Sequence, residues 1–222
     1  PEKQILMDYF LLDMETKSLS VCASSKFPDA QDGFTEAFKN IETIDIEKDQ
    51  ENGTRTITIG ISGQEQPAII KINQRNQIIE YVNEGLTEVG DFFMGGSTAL
   101  KKLDTPNLRK AGNGFIYLSD KIEDLNLPEV VEMGHSCLAL CGNLRNVNLP
   151  KLQIAGDGFM KDCSNVESIN IPNMPELAAT IKSQSSRVTA EDIAFLDKAA
   201  ELTDTDIGQA SQIVENIRGE QQ

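Results

Sequence analysis

The chain has 222 residues and a formal net charge of −15 at pH 7, with 35 acidic against 20 basic side chains. Nucleic-acid phosphates and anionic membrane surfaces both attract clustered Lys and Arg, and this acidic chain has no such cluster. No stretch approaches the roughly 20 apolar residues of a membrane-spanning helix. We therefore expect neither a nucleic-acid partner nor membrane insertion.

The first predicted elements are strands in the N-terminal third. Residues 54–61 alternate with a period of two and are rich in β-branched side chains, which predicts a strand. Asn52-Gly53 is a hairpin-turn signal, so residues 44–47 are predicted to pair with this strand, with 68–72 as a further strand.

A second feature of this region is its similarity to a later part of the chain. Residues 32–46 align without gaps with residues 157–171 and are identical at seven of 15 positions. The two segments are therefore predicted to form the same structural unit, degenerate in the first. Ile78 and Tyr81 precede Leu100 and Leu103 by 22 residues, which predicts another degenerate repeat strand in 78–84.

The middle of the chain repeats every 22 residues. Prolines and glycines recur at this spacing, as Pro106, Pro128, Pro150 and Pro172 and as Gly90, Gly112, Gly134 and Gly156. Residues 85–172 thus divide without insertions into 85–106, 107–128, 129–150 and 151–172. A fixed period of this size predicts a solenoid, in which each unit, here called a rung, buries its apolar side against its neighbours.

Each rung carries apolar residues at the leucine-rich repeat spacing L-x-x-V-x-L, as at Leu144, Val147 and Leu149. This spacing predicts a short strand whose apolar side chains point inward while Asn146 and Asn148 point outward. The repeated proline is predicted to close the strand, and the repeated glycine to permit a tight bend that a side chain would obstruct.

The last rung resembles the BspA-type, or Treponema-type, leucine-rich repeat, whose pattern is roughly I-G-x-x-A-F-x-x-C-x-x-L-x-x-I-x-L-P. Residues 155–172 read A-G-D-G-F-M-K-D-C-S-N-V-E-S-I-N-I-P. Earlier rungs depart from it, with Ser97 and Ser119 in the cysteine column and Cys137 in the phenylalanine column. The resemblance implies a curved solenoid without catalytic activity and, in most members, a bacterial surface or secreted protein that contacts other proteins.

After residue 172 the period stops. Met174 and Leu177 are predicted to begin a fifth rung, and apolar residues between 189 and 217 recur at helical spacing after a capping-box-like start. Two short amphipathic helices are predicted there, covering the open end of the solenoid rather than recruiting a partner.

Together these features predict an α/β-type leucine-rich repeat solenoid with three parts. Residues 1–84 are an N-terminal cap with degenerate rungs and a hairpin, residues 85–172 are four repeats, and residues 173–222 are a helical C-terminal cap.

Residues 135–141 contain the only histidine and two of the four cysteines, and Cys163 could complete a zinc set. The repeat register explains each of them as a core or bend residue, so we predict packing, with no metal and no cofactor. A disulfide between Cys141 and Cys163, one rung apart, satisfies the required separation, but buried thiols are favoured.

The outward positions of the predicted strands form two columns that parallel strands would place side by side. The candidate partner-binding residues in and beside these columns are Lys102, Asp104, Asp124, Asn126, Arg145, Asn146, Asn148, Ser168 and Asn170. This surface is polar and lacks tyrosine and tryptophan anchors. The stacked asparagines could equally hydrogen-bond to one another as ladders, and the sequence leaves both roles open.

The predicted function is a non-catalytic protein–protein interaction module, since solenoids are mostly binding surfaces. The partner is expected to be a protein of unknown identity, and the family resemblance favours a secreted or cell-surface location. Two alternatives are an enzyme or effector fragment whose site lies outside the repeats, and a structural spacer within a larger protein.

Overall fold

The computed structural model describes residues 3–21 and 37–185, which include a solenoid of about four turns. The described strands, in chain order, are β1 (Gln4–Met7), β2 (Phe10–Asp13), β3 (Ser18–Val21), β4 (Ile41–Lys48), β5 (Arg55–Ile61), β6 (Ala68–Ile72), β7 (Ile78–Val82), β8 (Glu88–Val89), β9 (Lys102–Asp104), β10 (Lys110–Ala111), β11 (Asp124–Asn126), β12 (Glu132–Met133), β13 (Asn146–Asn148), β14 (Ile154–Ala155) and β15 (Ser168–Asn170). One helix, α1 (Pro175–Ser185), follows them.

The repeats build two parallel sheets on opposite sides of a shared core. One sheet contains β8, β10, β12 and β14, and the other contains β11, β13 and β15. Every pairing in them joins residues 22 apart, as Leu125 with Val147 and Val147 with Ile169. This register confirms the predicted leucine-rich repeat solenoid with 22-residue rungs.

The repeated apolar residues fill the core between the sheets. Two columns are buried in all four rungs, namely Leu86, Leu108, Val130 and Leu152, and Phe93, Phe115, Cys137 and Phe159. The rings of Phe93 and Phe115 stack with centroids 6.1 Å apart and planes 10° apart. The phenylalanine column therefore runs from rung to rung, and Cys137 continues it with a smaller side chain.

The repeated glycines are required by the stacking of rungs. A Cβ at Gly134 would lie 2.7 Å from the backbone nitrogen of Asn113 and 2.8 Å from the carbonyl carbon of Gly112, both in the preceding rung. A side chain is therefore obstructed, as predicted, but the cause is a neighbouring backbone. The local bend is made instead by residues with positive φ.

Those bend residues occupy three alternate positions in every rung. The residues with positive φ are Phe92, Met94 and Gly96, then Gly114, Ile116 and Leu118, then Ser136, Leu138 and Leu140, and finally Gly158, Met160 and Asp162. Most are not glycines, although the left-handed region is costly for side chains with a Cβ. The stacked backbone therefore imposes this turn on sequences that would not favour it locally.

Towards the N-terminus, a separate sheet lies beside β11 and consists mainly of an antiparallel meander. β4, β5, β6 and β7 pair antiparallel in that order, and β7 then pairs in parallel with β9, so that five strands form one sheet. Tyr81 faces Leu103 at the 22-residue register, which confirms the strand predicted in 78–84. The predicted hairpin is also confirmed, with Gly53 at a φ of 70° in its turn.

Residues 41–48 form a strand but do not stack as a rung, contrary to the prediction from residues 32–46. β4 pairs antiparallel with β5, and two strands separate it from β7. The hairpin strand therefore displaces the parallel neighbour that a rung would need. Phe38 still occupies a core position, with its ring centroid 5.9 Å from that of Tyr81. Residues 32–36 lie outside the described residues.

A further antiparallel sheet, β1–β2–β3, covers the N-terminal side of the core and was missed by the sequence analysis. Its inward side chains, Ile5, Met7, Phe10 and Leu12, are all buried in the common core. Between β1 and β2, the hydroxyl of Tyr9 donates to the carbonyl of Gly95 at 2.5 Å. This contact ties the sheet β1–β2–β3 to the bend of the first rung.

The C-terminal end departs from the predicted fifth rung. Met174 packs against the core in the column of Leu152, but Leu177 lies in α1 rather than in a strand. Ile181 of the same helix is buried, so α1 covers apolar surface next to β15. The two helices predicted between 189 and 217 lie outside the described residues.

Thr105 provides a test of core energetics. It is fully buried in the column of Leu127 and Leu149, and its hydroxyl oxygen has no hydrogen-bond partner among the described residues. We expect Thr105→Val to raise the free energy of unfolding by about 1 kcal/mol, because it removes a buried unpaired hydroxyl at nearly constant shape. Urea denaturation measures this change.

The matched control is Ser119→Ala, since the hydroxyl of Ser119 is equally buried but donates to the carbonyl of Met94 at 3.2 Å. This variant is expected to lose about 1 kcal/mol. A loss of stability in both variants would show that the Thr105 hydroxyl is satisfied.

Candidate binding surface

The nine candidate residues lie on one side of the molecule. Eight are outward residues of β9, β11, β13 and β15, and Arg145 directly precedes β13. Parallel pairing places Asn146 between Asp124 and Ser168. β9 lies beside β11, although the two strands belong to different sheets. This outward side of β9, β11, β13 and β15, called the strand face below, brings the residues together as predicted.

The asparagines of the strand face bond to one another. The side-chain amide of Asn170 donates to Oδ1 of Asn148 at 2.7 Å, and Asn148 donates to Oδ1 of Asn126 at 2.7 Å. Asn146 donates to Oδ1 of Asp124 at 2.6 Å. The ladder is therefore present. Because each amide has two N–H groups and two lone pairs, the ladder leaves hydrogen-bonding capacity directed at solvent.

The cations of the surface are held by glutamates. Lys71 and Lys102 contact Glu80 at 3.1 and 2.9 Å, and Arg145 contacts Glu167 at 3.1 Å. Partial burial raises the pKa of Glu80, but its bonds to the two lysines outweigh burial and bring the pKa below its usual value. Exposed pairs of this kind contribute little stability, so their main effect is to fix side-chain position.

The outward side continues across the five-stranded sheet β4–β5–β6–β7–β9, whose outward residues other than Lys102 and Asp104 were not predicted from the sequence to bind a partner. Strand register aligns Asp45, Thr58, Ile69, Val82 and Asp104 in one cross-strand row. Ile69 and Val82 are partly exposed and adjacent, so they form an apolar pair on an otherwise polar surface. Alternation in the sequence shows which residues of a strand share a side, but not which strands are neighbours.

The three cysteines of the described residues are packing residues. Cys137, Cys141 and Cys163 are buried free thiols. The Sγ of Cys141 donates to the carbonyl of Ile116 at 3.2 Å, and that of Cys163 donates to the carbonyl of Leu138 at 2.9 Å. Burial raises the pKa of Cys137 to about 11 and that of Cys163 to about 12, so both thiols stay protonated and unreactive.

His135 belongs to a second ladder, at the bends. Oδ1 of Asp91 accepts the backbone N–H of Asn113 at 2.7 Å, and Oδ1 of Asn113 accepts that of His135 at 2.8 Å. Nδ1 of His135 in turn accepts the backbone N–H of Asp157 at 3.0 Å, which assigns the proton of the neutral ring to Nε2. Within the described part of the chain, no group of His, Cys, Asp and Glu side chains is arranged to hold a metal.

None of the described helices has the length and apolar character needed to cross a membrane. The family model for the BspA-type leucine-rich repeat region matches residues 73–187 with six copies, just over half of the chain. No curated protein and no solved structure matches the chain. The family match spans β7 to α1, the same part of the chain that forms the parallel rungs. The chain belongs to the BspA-type leucine-rich repeat family.

Proposed function

We propose that the chain is a non-catalytic protein-binding module whose partner docks on the strand face. The observation that carries this proposal is the preorganised pattern of polar side chains on that face. Neighbouring strands repeat the same outward positions at a spacing of about 4.8 Å, so a partner contacts several rungs at once.

Preorganisation matters because binding has to order side chains before it gains contacts. The ladder of Asn126, Asn148 and Asn170 and the Arg145–Glu167 pair already hold these groups in one arrangement. A partner therefore loses less conformational entropy on binding than it would on a surface of free side chains. A polar surface of this kind favours recognition through hydrogen bonds, with modest affinity.

A location at the bacterial cell surface or in the secreted fraction is part of the proposal, and its support is the family resemblance. A nucleic-acid partner is disfavoured by the net charge of −15. The proposed partner is therefore a protein or an exposed segment of one.

Truncating two residues of the strand face should weaken partner binding. Peptides are first selected on the immobilised protein from a displayed library of random short sequences, and their affinities are then measured by calorimetry. Arg145→Ala combined with Asn148→Ala is expected to weaken the selected peptides about 10-fold, because it removes a cation and the centre of the amide ladder. The melting temperature is measured in parallel to confirm folding.

The matched control is Lys151→Ala combined with Gln153→Ala. It also removes one cation and one amide from exposed positions, but away from the strand face. Equal weakening by the two double variants would contradict a specific role of the strand face. Loss of binding on alteration of the hairpin turn at 49–54, without any loss in Arg145→Ala combined with Asn148→Ala, would show that the strand face is the wrong surface.

A further inference from the structure

We propose that the outward side of the five-stranded sheet β4–β5–β6–β7–β9 recognises a basic protein segment that carries an apolar side chain. The proposed contact is the cross-strand row Asp45, Thr58, Ile69, Val82 and Asp104, called the acidic–apolar row below. This inference rests on the proposed function, since the row begins at Asp104 of the strand face and extends that face across β7, β6, β5 and β4, and it adds the chemistry of the partner.

The geometry of the row follows from strand pairing. Asp45 lies opposite Thr58 on β5, Thr58 opposite Ile69 on β6, Ile69 opposite Val82 on β7, and Val82 opposite Asp104 on β9. Neighbouring strands are about 4.8 Å apart, so the row runs about 19 Å from one carboxylate to the other. The row therefore crosses all five strands and ends in a carboxylate on each side.

The apolar pair supplies an anchor that the strand face lacks. Ile69 and Val82 are β-branched side chains with few rotamers, so covering them costs little side-chain entropy. They are partly exposed beside each other, while the inward residues of the same strands, Ile70 and Tyr81, are buried. An apolar side chain of a partner would remove this pair from water with the usual gain from apolar burial.

The charges around the pair select the partner. The acidic–apolar row contains two carboxylates and no cation, and within the described residues neither Asp45 nor Asp104 forms an ion pair. Lys71 and Lys102, on strands that the row crosses, both contact Glu80, and the charge of Lys102 also interacts with that of Asp104. The three carboxylates Asp45, Glu80 and Asp104 outnumber these two lysines, so the local charge is negative, and the net charge of −15 attracts a basic partner from a distance.

The spacing of the row limits the sequence of the partner. An extended segment rises about 3.4 Å per residue, so two basic residues that reach both carboxylates would be about five or six positions apart. The apolar residue would lie between them, over Ile69 and Val82. In a helical partner the same distance corresponds to about 12 or 13 residues.

The test uses peptides selected on the 222-residue chain from a displayed library of random short sequences. Selected peptides are expected to be enriched in Lys or Arg on both sides of Leu, Ile or Phe. Asp45→Asn combined with Asp104→Asn is expected to weaken them about 10-fold, with a larger effect at low than at physiological ionic strength. Ile69→Thr combined with Val82→Thr, which keeps β-branched side chains, is expected to weaken them about 5-fold.

The control is Glu88→Gln combined with Asp157→Asn, which changes the net charge equally at exposed positions away from the row. Selected peptides without basic enrichment, or equal weakening by the two charge variants, would overturn the inference. Peptides weakened by Arg145→Ala with Asn148→Ala, but not by loss of the two aspartates, would also overturn it while leaving the proposed function intact. Peptides weakened by neither set would contradict both proposals.

Discussion

Replacing Gly134 by alanine is expected to destabilise the protein by about 3 kcal/mol, a large fraction of the stability of an ordinary domain. The added Cβ would lie 2.7 Å from the backbone nitrogen of Asn113 and 2.8 Å from the carbonyl carbon of Gly112. Backbone atoms of a stacked rung have no rotamer to change, so the two rungs must separate. Separation would weaken the parallel pairing of β10 with β12 and loosen the core on both sides.

The free energy of unfolding, measured by urea denaturation, tests this expectation against Gly63→Ala. Gly63 has a φ of 80° and no atom within 4 Å of the added Cβ, so its replacement measures backbone strain without collision. That strain is expected to cost about 1–2 kcal/mol. If Gly134→Ala is no more destabilising than Gly63→Ala, the rungs at Gly134 are not packed backbone to backbone.

The second large effect is expected at Asp8, whose carboxylate accepts the backbone N–H of Ile78 at 2.9 Å. Burial raises the pKa of Asp8 from 3.8 to about 6, against the opposing effect of this hydrogen bond. Below pH 3.8 the carboxyl is protonated in both states, and its contribution to stability is fully present. As the pH rises towards about 6, the unfolded chain releases the proton more readily, so stability falls and then stays lower.

Asp8→Asn should remove this loss. The amide keeps an oxygen for Ile78 and tolerates the φ of 51° at this position, but it does not ionise. We expect the variant to be more stable than the wild type by about 2 kcal/mol near neutral pH, with the difference vanishing below about pH 4. Denaturant titrations of both proteins across this range measure the difference, and effects of other carboxyls cancel in it.

Asp13 provides a control of opposite sign. Hydrogen bonds from the backbone of Thr16 and from Gln4 lower the pKa of Asp13 to about 2. Asp13→Asn should therefore be less stable than the wild type near neutral pH, with the deficit shrinking as the pH falls towards 2. A difference between Asp8→Asn and the wild type that stays constant from pH 4 to 7 would show that Asp8 is not buried in the folded state.

The sequence predicts the repeats well because stacked rungs require the same type of side chain at the same position every 22 residues. A column such as Phe93, Phe115, Cys137 and Phe159 shows its core role by recurrence, and even the exception at Cys137 is interpreted correctly from its register. The burial of Cys137, Cys141 and Cys163 and the place of His135 at a bend follow from the same reasoning, whereas the asparagine ladder is one of two roles that the sequence leaves open. What recurs is predictable without knowledge of contacts.

The N-terminal part was harder to predict because it is not periodic. Residues 41–48 resemble the strand part of a rung by sequence. They pair instead with the strand at 55–61, which follows them closely in the chain, and this antiparallel pairing occupies the edge that a parallel neighbour would need. β1 and β2 contain short apolar runs at residues 5–7 and 9–12, but runs of this length do not distinguish a strand from a buried helix segment. The apolar pair Ile69–Val82 depends on which strands are neighbours, and that information is absent from the alternation of either strand.

Apart from ion pairs such as that of Arg145 with Glu167, the side-chain hydrogen bonds between the described rungs share one direction. Asn170 donates to Asn148 and Asn148 to Asn126, while the thiols of Cys163 and Cys141 and the hydroxyl of Ser119 donate to carbonyls of the preceding rung. In each case the donor belongs to the part of the chain that the ribosome makes later. The acceptors are therefore already in place when each new rung emerges, and the molecule can be completed vectorially, one rung at a time, from its N-terminal end during synthesis.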